Sequence, residues 1–371
     1  MGKTGGTRVI PEEYLGNLIK WKHEGVADNW VDVTLMQPFW TFVASLVPRW
    51  IAPNMITFIG NIGNLLGAGL IFYFVPGLGQ GQEAPSWLYY VLALLCFSWQ
   101  TLDAIDGKHA RAIGMSSPLG AVFDHGMDGF SWVQYFLISV TLSRVGFGWL
   151  MCLMVVYCSY MAFISYWSTK YTGVMYWSTT ESQFIVMGGL LASGTFGSAW
   201  VWWTVPYLQI HLGDLLMVLG LFGPTKNALF QCYTVFSLKE HRVHGELREL
   251  LYASVTYLSF GVISMQPAFH DHATFILFFF TFNIASSHHC NKTIVYDCAA
   301  MDSDPFEWTT VLTAATAGAV VLLPDYAIHA VAGTLVILSV IWVSFWWRAI
   351  HEISAHLHIP IMTVRKAPRN Q

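Results

Sequence analysis

Long apolar runs broken by short polar stretches dominate the chain. Between Asn54 and Leu102 the only charged side chain is Glu83, and stretches 145–169, 182–213, 250–270, 272–291, 308–324 and 326–347 carry none. A helix crosses the hydrocarbon core of a bilayer in about 20 residues, so each run has room for at least one span. The pattern predicts an all-α integral membrane protein with ten transmembrane helices, at 54–76, 86–108, 117–142, 147–168, 184–205, 212–237, 249–267, 272–295, 307–324 and 327–350. Pro224, Lys226 and Asn227 interrupt the sixth. The period-two alternation of a barrel strand and repeats of solenoid length are both missing from the sequence. Ahead of the spans, Tyr14, Leu15, Leu18 and Ile19 form an apolar stripe on a helix predicted over 11–22. Beside Trp21 and Trp30, this stripe predicts an N-terminal interfacial amphipathic helix, and packing on the protein's own polar face would satisfy it equally.

Composition narrows the class. Of 371 residues, 55% are hydrophobic and only 11% charged, against roughly 25% charged in a soluble domain. Mean hydropathy is +0.50. These values exclude a water-soluble globular enzyme, and no nucleic-acid partner is expected without a broad basic face. Net charge is −4, too small for long-range steering. The six cysteines form no CxxC pair and read as small apolar residues. Residues 1–38 lack the apolar core of a secretory signal.

Cationic residues set the orientation. Lys20, Lys22 and Arg49 precede the first span, Lys108 and Arg111 follow the second, and Lys239, Arg242 and Arg248 follow the sixth. Arg348, Arg365, Lys366 and Arg369 close the chain, while Arg144 alone stands on the opposite side. Both termini are therefore predicted to be cytoplasmic. The chain divides into a segment with the interfacial helix (1–53), a polytopic domain (54–350) and a tail (351–371).

Four aspartates interrupt this apolar background within LDAIDGKHARAIGMSSPLGAVFDHGMDG. Asp103 and Asp106 are three apart and Asp124 and Asp128 four apart, so each pair shares a helix face. The short connection 113–117 makes the two helices antiparallel neighbours and can bring all four carboxylates together. A carboxylate at mid-membrane costs about 2.5–3.5 kcal/mol, and four together repel one another. Divalent cations offset both effects, and an all-oxygen donor set points to Mg²⁺, Mn²⁺ or Ca²⁺ rather than zinc. Two such ions would clamp a diphosphate for in-line displacement. Gly107, Ala110 and Gly120 leave helix surface bare for a nucleotide, and Arg111 offers a fork for phosphate or carboxylate.

The spacing Asp103-x2-Asp106-Gly107-x2-Ala110-Arg111-x8-Gly120-x3-Asp124-x3-Asp128 resembles the CDP-alcohol phosphotransferase signature at all eight positions over residues 103–128. Ten spans with the motif after the second are similar to the eukaryotic ethanolaminephosphotransferase and cholinephosphotransferase branch. VPRWIAPNMIT, SSPLGAVFDHGMD and IHEISAHLHI carry the same resemblance. It implies transfer of a phospho-headgroup from CDP-ethanolamine or CDP-choline to the 3-hydroxyl of diacylglycerol, with release of CMP. It also implies two ions (Mg²⁺ or Mn²⁺) on Asp103, Asp106, Asp124 and Asp128. Asn54 would lie near the headgroup phosphate, and Gly107, Ala110, Arg111 and Gly120 around the CDP. A homodimer in the endoplasmic reticulum or Golgi membrane, with its site facing the cytoplasm, belongs to the same expectation.

Two residues compete for the role of general base. Asp128 is the family's traditional candidate, whereas the imidazole of His125 suits neutral pH better and a metal-bound carboxylate is a poor proton acceptor. His125 is favoured on this ground, and a hydrogen-bonded structural histidine is the alternative. For the headgroup, choline-using relatives tend to carry Trp-Glu, Thr-Gly and Asn-Gly-Pro-x-Glu after the fourth span. Here Trp167 and Thr172-Gly173 remain, Ser168 replaces the glutamate, and Asn-Gly-Pro is missing. Ethanolamine is therefore expected first, with choline or dual specificity as the alternative.

Other polar groups read more plainly. His351-Glu352-x3-His356 places its histidines about 140° apart on a helix, which excludes a shared metal and suggests an interfacial or dimer surface. His288-His289-Cys290 reads as a polar helix end at the mouth of the site. The sequon at Asn291 falls at a cytoplasmic helix end and is expected to stay unglycosylated. A cation or proton-coupled transporter is a distant alternative, but its carboxylates would sit in pseudo-symmetric repeats, and the acidic hairpin has no second copy.

Overall fold

The computed structural model describes residues 8–22, 30–77, 83–142, 146–175, 179–238, 243–302, 304 and 306–364. Among the described residues the fold is all-helical, apart from one isolated bridge between Thr204 and His211. A short helix α1 (Glu12–Lys20) and helix α2 (Gln37–Leu46) precede the bundle. Helices α3 (Pro53–Phe74), α4 (Ser86–Ile113), α5 (Pro118–Thr141), α6 (Trp149–Thr172) and α7 (Thr180–Phe196) follow. The chain continues through α8 (Leu212–Ser237), α9 (Val243–Ser264), α10 (His272–Cys298), α11 (Trp308–Leu322) and α12 (Ala327–Leu357).

Each of the ten segments expected to span falls on one of α3 to α12. Pro53–Phe74, Ser86–Ile113, Trp149–Thr172 and Pro324–Leu357 are long and apolar enough to cross a membrane. One segment differs locally from expectation. The expected span 184–205 stops as helix at Phe196, because Gly197 takes φ +77° and breaks the hydrogen-bond ladder. By contrast, α8 runs unbroken through Pro224. The carbonyl that loses its partner there is that of Gly220. The orienting residues Arg144, Lys239, Arg242, Arg365, Lys366 and Arg369 lie outside the described residues.

The core is aromatic. Phe275, Phe278, Phe279 and Phe282 on α10 are fully buried and mesh edge-on with Phe72 and Phe260. Such contacts add about 0.5–1.5 kcal/mol each beyond burial. Helix α5 runs through this core, and Gly126 is the reason that α12 can approach it. A Cβ at 126 would stand 2.1 Å from the Trp346 ring, so only glycine fits.

The stripe on α1 is covered by protein. Ile10 and Leu18 are fully buried, and Tyr14 and Leu15 pack on the same core. The Asn17 amide donates to the Ala299 carbonyl at 3.0 Å. Of the four stripe residues only Ile19 is left outside, 73% exposed, so of the two readings the sequence left open this face takes the one that docks on the protein.

Candidate active site

Helices α4 and α5 form a hairpin built by local chemistry. At the end of α4, Gly114 adopts φ +72°, a left-handed conformation that costs glycine little. The N–H of Met115 then returns to the Ala110 carbonyl (2.8 Å) and that of Gly114 to Arg111 (3.3 Å). Ser117 starts α5, its hydroxyl accepting from the Gly120 N–H at 3.3 Å, with Pro118 in the first turn. This tight connection sets the two acidic faces opposite each other.

All ten residues singled out in the sequence line one cavity of about 320 Å³: Asn54, Asp103, Asp106, Gly107, Ala110, Arg111, Gly120, Asp124, His125 and Asp128. Carboxylate oxygens of Asp103, Asp124 and Asp128 lie within 4.8 Å of one another. Asp106 stands outside that trio, neighbouring Asp103 and Asp124, and accepts from the Thr57 hydroxyl of α3. On Asp124 and Asp128, Oδ1 is buried and has no hydrogen-bond partner among the described residues. Anionic oxygens left without donors in a low-dielectric setting require compensation. Converging hard oxygen donors fit a divalent cation of the Mg²⁺ or Mn²⁺ type.

Around the acidic centre the cavity has distinct walls. The Arg111 guanidinium folds back along α4, with Nη1 3.4 Å from where a Gly107 Cβ would be. Gly120 opens toward Asn54, whose Oδ1 is 4.0 Å from the same construction. The Asn54 amide is held by the Ile361 carbonyl at 2.8 Å. His125 Nε2 stands 3.8 Å from Asp124 Oδ2, and its ring faces Tyr166 with centroids 6.2 Å apart. A second cavity of about 460 Å³ adjoins the first and shares Trp21, Ala121, His125, Tyr166 and Met175 with it.

Several lining residues were not legible as site residues: Trp21, Trp132, Tyr166, Met175 and the segment 359–361. They arrive from α1, α5, α6 and the end of α12 through tertiary packing, and no local spacing announces them. The headgroup cues in α6 point elsewhere. Trp167 is fully buried and its indole donates to the Glu246 carbonyl at 3.2 Å. Ser168 donates to Gln231 at 2.6 Å, inside the packing of α6 on α8. Thr172 and Gly173 line the second cavity.

His288 and His289 line neither cavity, contrary to the reading of a helix end at the mouth. Helix α10 is buried on nearly all sides, and its polar groups pair within the bundle: His288 lies 3.9 Å from Glu307 and His289 2.9 Å from the Thr256 hydroxyl. Asn291 is fully buried, so the sequon offers no accessible acceptor. His351 packs on Trp347 with ring centroids 4.1 Å apart.

The fold thus defines a helical membrane-type protein with an acidic, oxygen-donor centre on one helix hairpin. Residues 50–213 match the family model described as CDP-alcohol phosphatidyltransferase, and the chain carries a domain of this family. It is 33% identical over 278 residues to cholinephosphotransferase 1 of Rattus norvegicus, covering 71% of this chain and 65% of that one. It is also 29% identical over 232 residues to choline/ethanolaminephosphotransferase 1 of Saccharomyces cerevisiae, covering 59% of each. The match spans less than two thirds of the length of these curated relatives.

Proposed function

We propose that this protein transfers phosphoethanolamine from CDP-ethanolamine to the 3-hydroxyl of diacylglycerol, giving phosphatidylethanolamine and CMP. The observation that carries this reading is the convergence of four carboxylates, Arg111 and three small residues on one cavity. That donor set suits a cation-clamped diphosphate, and the family domain supports the CDP-alcohol class.

When bound, two divalent cations would neutralise the diphosphate and the charge developing on the leaving CMP. Asp103, Asp106, Asp124 and Asp128 would hold them. Arg111 binds a phosphate oxygen by its fork, while Gly107, Ala110 and Gly120 let the nucleotide reach the helix backbones. Asn54, fixed by Ile361, orients the headgroup phosphate. His125 takes the proton from the diacylglycerol hydroxyl as that oxygen attacks phosphorus. The neighbouring Asp124 carboxylate then stabilises the imidazolium. Asp128 is the alternative acceptor.

The missing Asn-Gly-Pro stretch supports ethanolamine. A choline donor is the second reading, favoured by the relatives named cholinephosphotransferase and by the aromatic walls Trp21, Trp132 and Tyr166, whose π-faces suit a quaternary ammonium. Both place the protein, with ten spans and cytoplasmic termini, in the endoplasmic reticulum or Golgi membrane, as a homodimer. The deciding assay supplies the purified protein with diacylglycerol, Mn²⁺ or Mg²⁺, and labelled CDP-ethanolamine or CDP-choline in parallel. CMP release fastest from CDP-ethanolamine is expected; release from neither donor overturns the transferase reading.

A further inference from the structure

Residues 8–22 and the end of α12 meet through Glu352, and each segment runs on into the cavity lining. Glu352, near the end of α12, accepts the backbone N–H of Val9 on Oε1 at 3.0 Å and that of Ile10 on Oε2 at 2.9 Å. One carboxylate thereby captures two successive amides some 340 residues away in sequence. Ile10 and Leu18 drop into the core beside it, and Asn17 is tied to Ala299. Trp21 follows directly at the end of α1 and lines the cavity at its junction with the second cavity. The same α12 ends at His358, with φ +53°, in a turn where Ser354 bonds Ile359. That turn delivers Ile361 to Asn54.

We propose that Glu352 is a positioning residue for the donor substrate: it clamps the N-terminal segment so that the Trp21 indole forms a fixed wall of the CDP-alcohol cavity. This rests on the CDP-alcohol reading above. Hydrogen bonds to a charged acceptor are the stronger kind, and two of them hold a short helix whose own propensity is marginal. A wall ordered before binding spares the donor that ordering cost, so the effect belongs in donor affinity and leaves turnover of bound substrate intact.

The test uses the full chain in lipid nanodiscs, as wild type, Glu352→Ala, Trp21→Ala and the double variant. Amide hydrogen exchange over residues 8–21, affinity for CDP-ethanolamine and CDP-choline, and kcat against KM are measured together. Glu352→Ala should speed exchange at Val9 and Ile10 and weaken donor affinity about tenfold, with kcat within about twofold. Trp21→Ala should weaken affinity similarly without speeding that exchange, and the double variant should lose no more than the worse single one. Unchanged exchange in Glu352→Ala, or faster exchange with unchanged donor affinity, overturns the proposal. Should the alanine variant fail to fold, Glu352→Gln, which turns one acceptor into a donor facing an N–H, decides by the same readouts. A wild type that binds a CDP-alcohol but releases no CMP overturns the transferase reading alone, and the clamp is then judged on affinity.

Discussion

The Thr57 hydroxyl donates to the Asp106 carboxylate, joining α3 to the acidic face of α4 in the interior of the bundle. Asp106 is the one carboxylate outside the tight trio, and this bond sets its orientation. Replacing Thr57 by Val keeps the shape but takes this hydroxyl donor from Asp106. Supports of this kind behind metal-binding groups are worth about 10- to 100-fold in affinity or activity. Thr57→Val should therefore weaken Mn²⁺ activation by that order, while Thr57→Ser stays close to wild type. Titrating activity against Mn²⁺ in both variants checks it, and equal behaviour of the two would remove Thr57 from the site.

Asp128 carries a buried, unpartnered Oδ1 among the described residues and closes the trio with Asp103 and Asp124. Asp128→Asn keeps the volume and removes the charge. Loss of CMP release is expected, together with loss of one cation-binding event in calorimetry. Chelation of the wild type by EDTA should give the same silence, reversed by added Mn²⁺ or Mg²⁺.

His125 sits in the cavity without being a member of the carboxylate trio. Its role in proton transfer predicts that His125→Ala lowers kcat about 10²- to 10⁴-fold, the range of a lost general base, with CDP-alcohol affinity nearly kept. Steady-state kinetics alongside equilibrium binding separates the two quantities. Retained turnover would return the base to Asp128.

The hairpin was legible because charge is conspicuous in an apolar chain. Asp103, Asp106, Asp124 and Asp128 needed only helical spacing and a short turn to be placed together. Trp21 and the segment 359–361 were not legible, since they reach the site by docking of residues 8–22 and of the end of α12, which no local pattern encodes. Trp167 and Ser168 show the converse: they stand at motif positions, Ser168 in place of the glutamate, yet face α8 and α9, because the helix rotation about α6 is set by packing. The end of α7 was missed for a third reason. Gly197 lies in an apolar run whose hydropathy continues past it, and only its positive φ breaks the helix.

Packing of α12 on α5 depends on the absence of a side chain at 126. Gly126→Ala would push a methyl into the Trp346 ring, and overpacking of this kind costs about 1–3 kcal/mol. Because Gly126 is two residues from both Asp124 and Asp128, the strain should also lower activity. Pairing it with Trp346→Leu, which vacates the space, should restore part of the thermal stability. Thermal unfolding of single and double variants in detergent reads the coupling; additive losses would contradict it.

Asp271 caps the N-terminus of α10 and does not line the acidic cavity. Its carboxylate accepts from the Thr274 hydroxyl at 2.5 Å and from the N–H groups of Ala273 and Thr274 at 3.0 and 3.3 Å. Those bonds, the Thr274 hydroxyl foremost, hold its pKa below the ordinary aspartate value. A depressed folded pKa means that the stabilisation is complete above the unfolded value, about 4, and disappears as pH falls through the folded one. Asp271→Ala should cost about 1 kcal/mol, as for other lost caps, near neutral pH. The gap between the two unfolding midpoints should then narrow on acidification below pH 4, as the wild-type carboxylate takes up its proton. Thermal unfolding of both forms from pH 7 down to pH 3 measures it, and a gap independent of pH would show that Asp271 acts through shape and not through its charge.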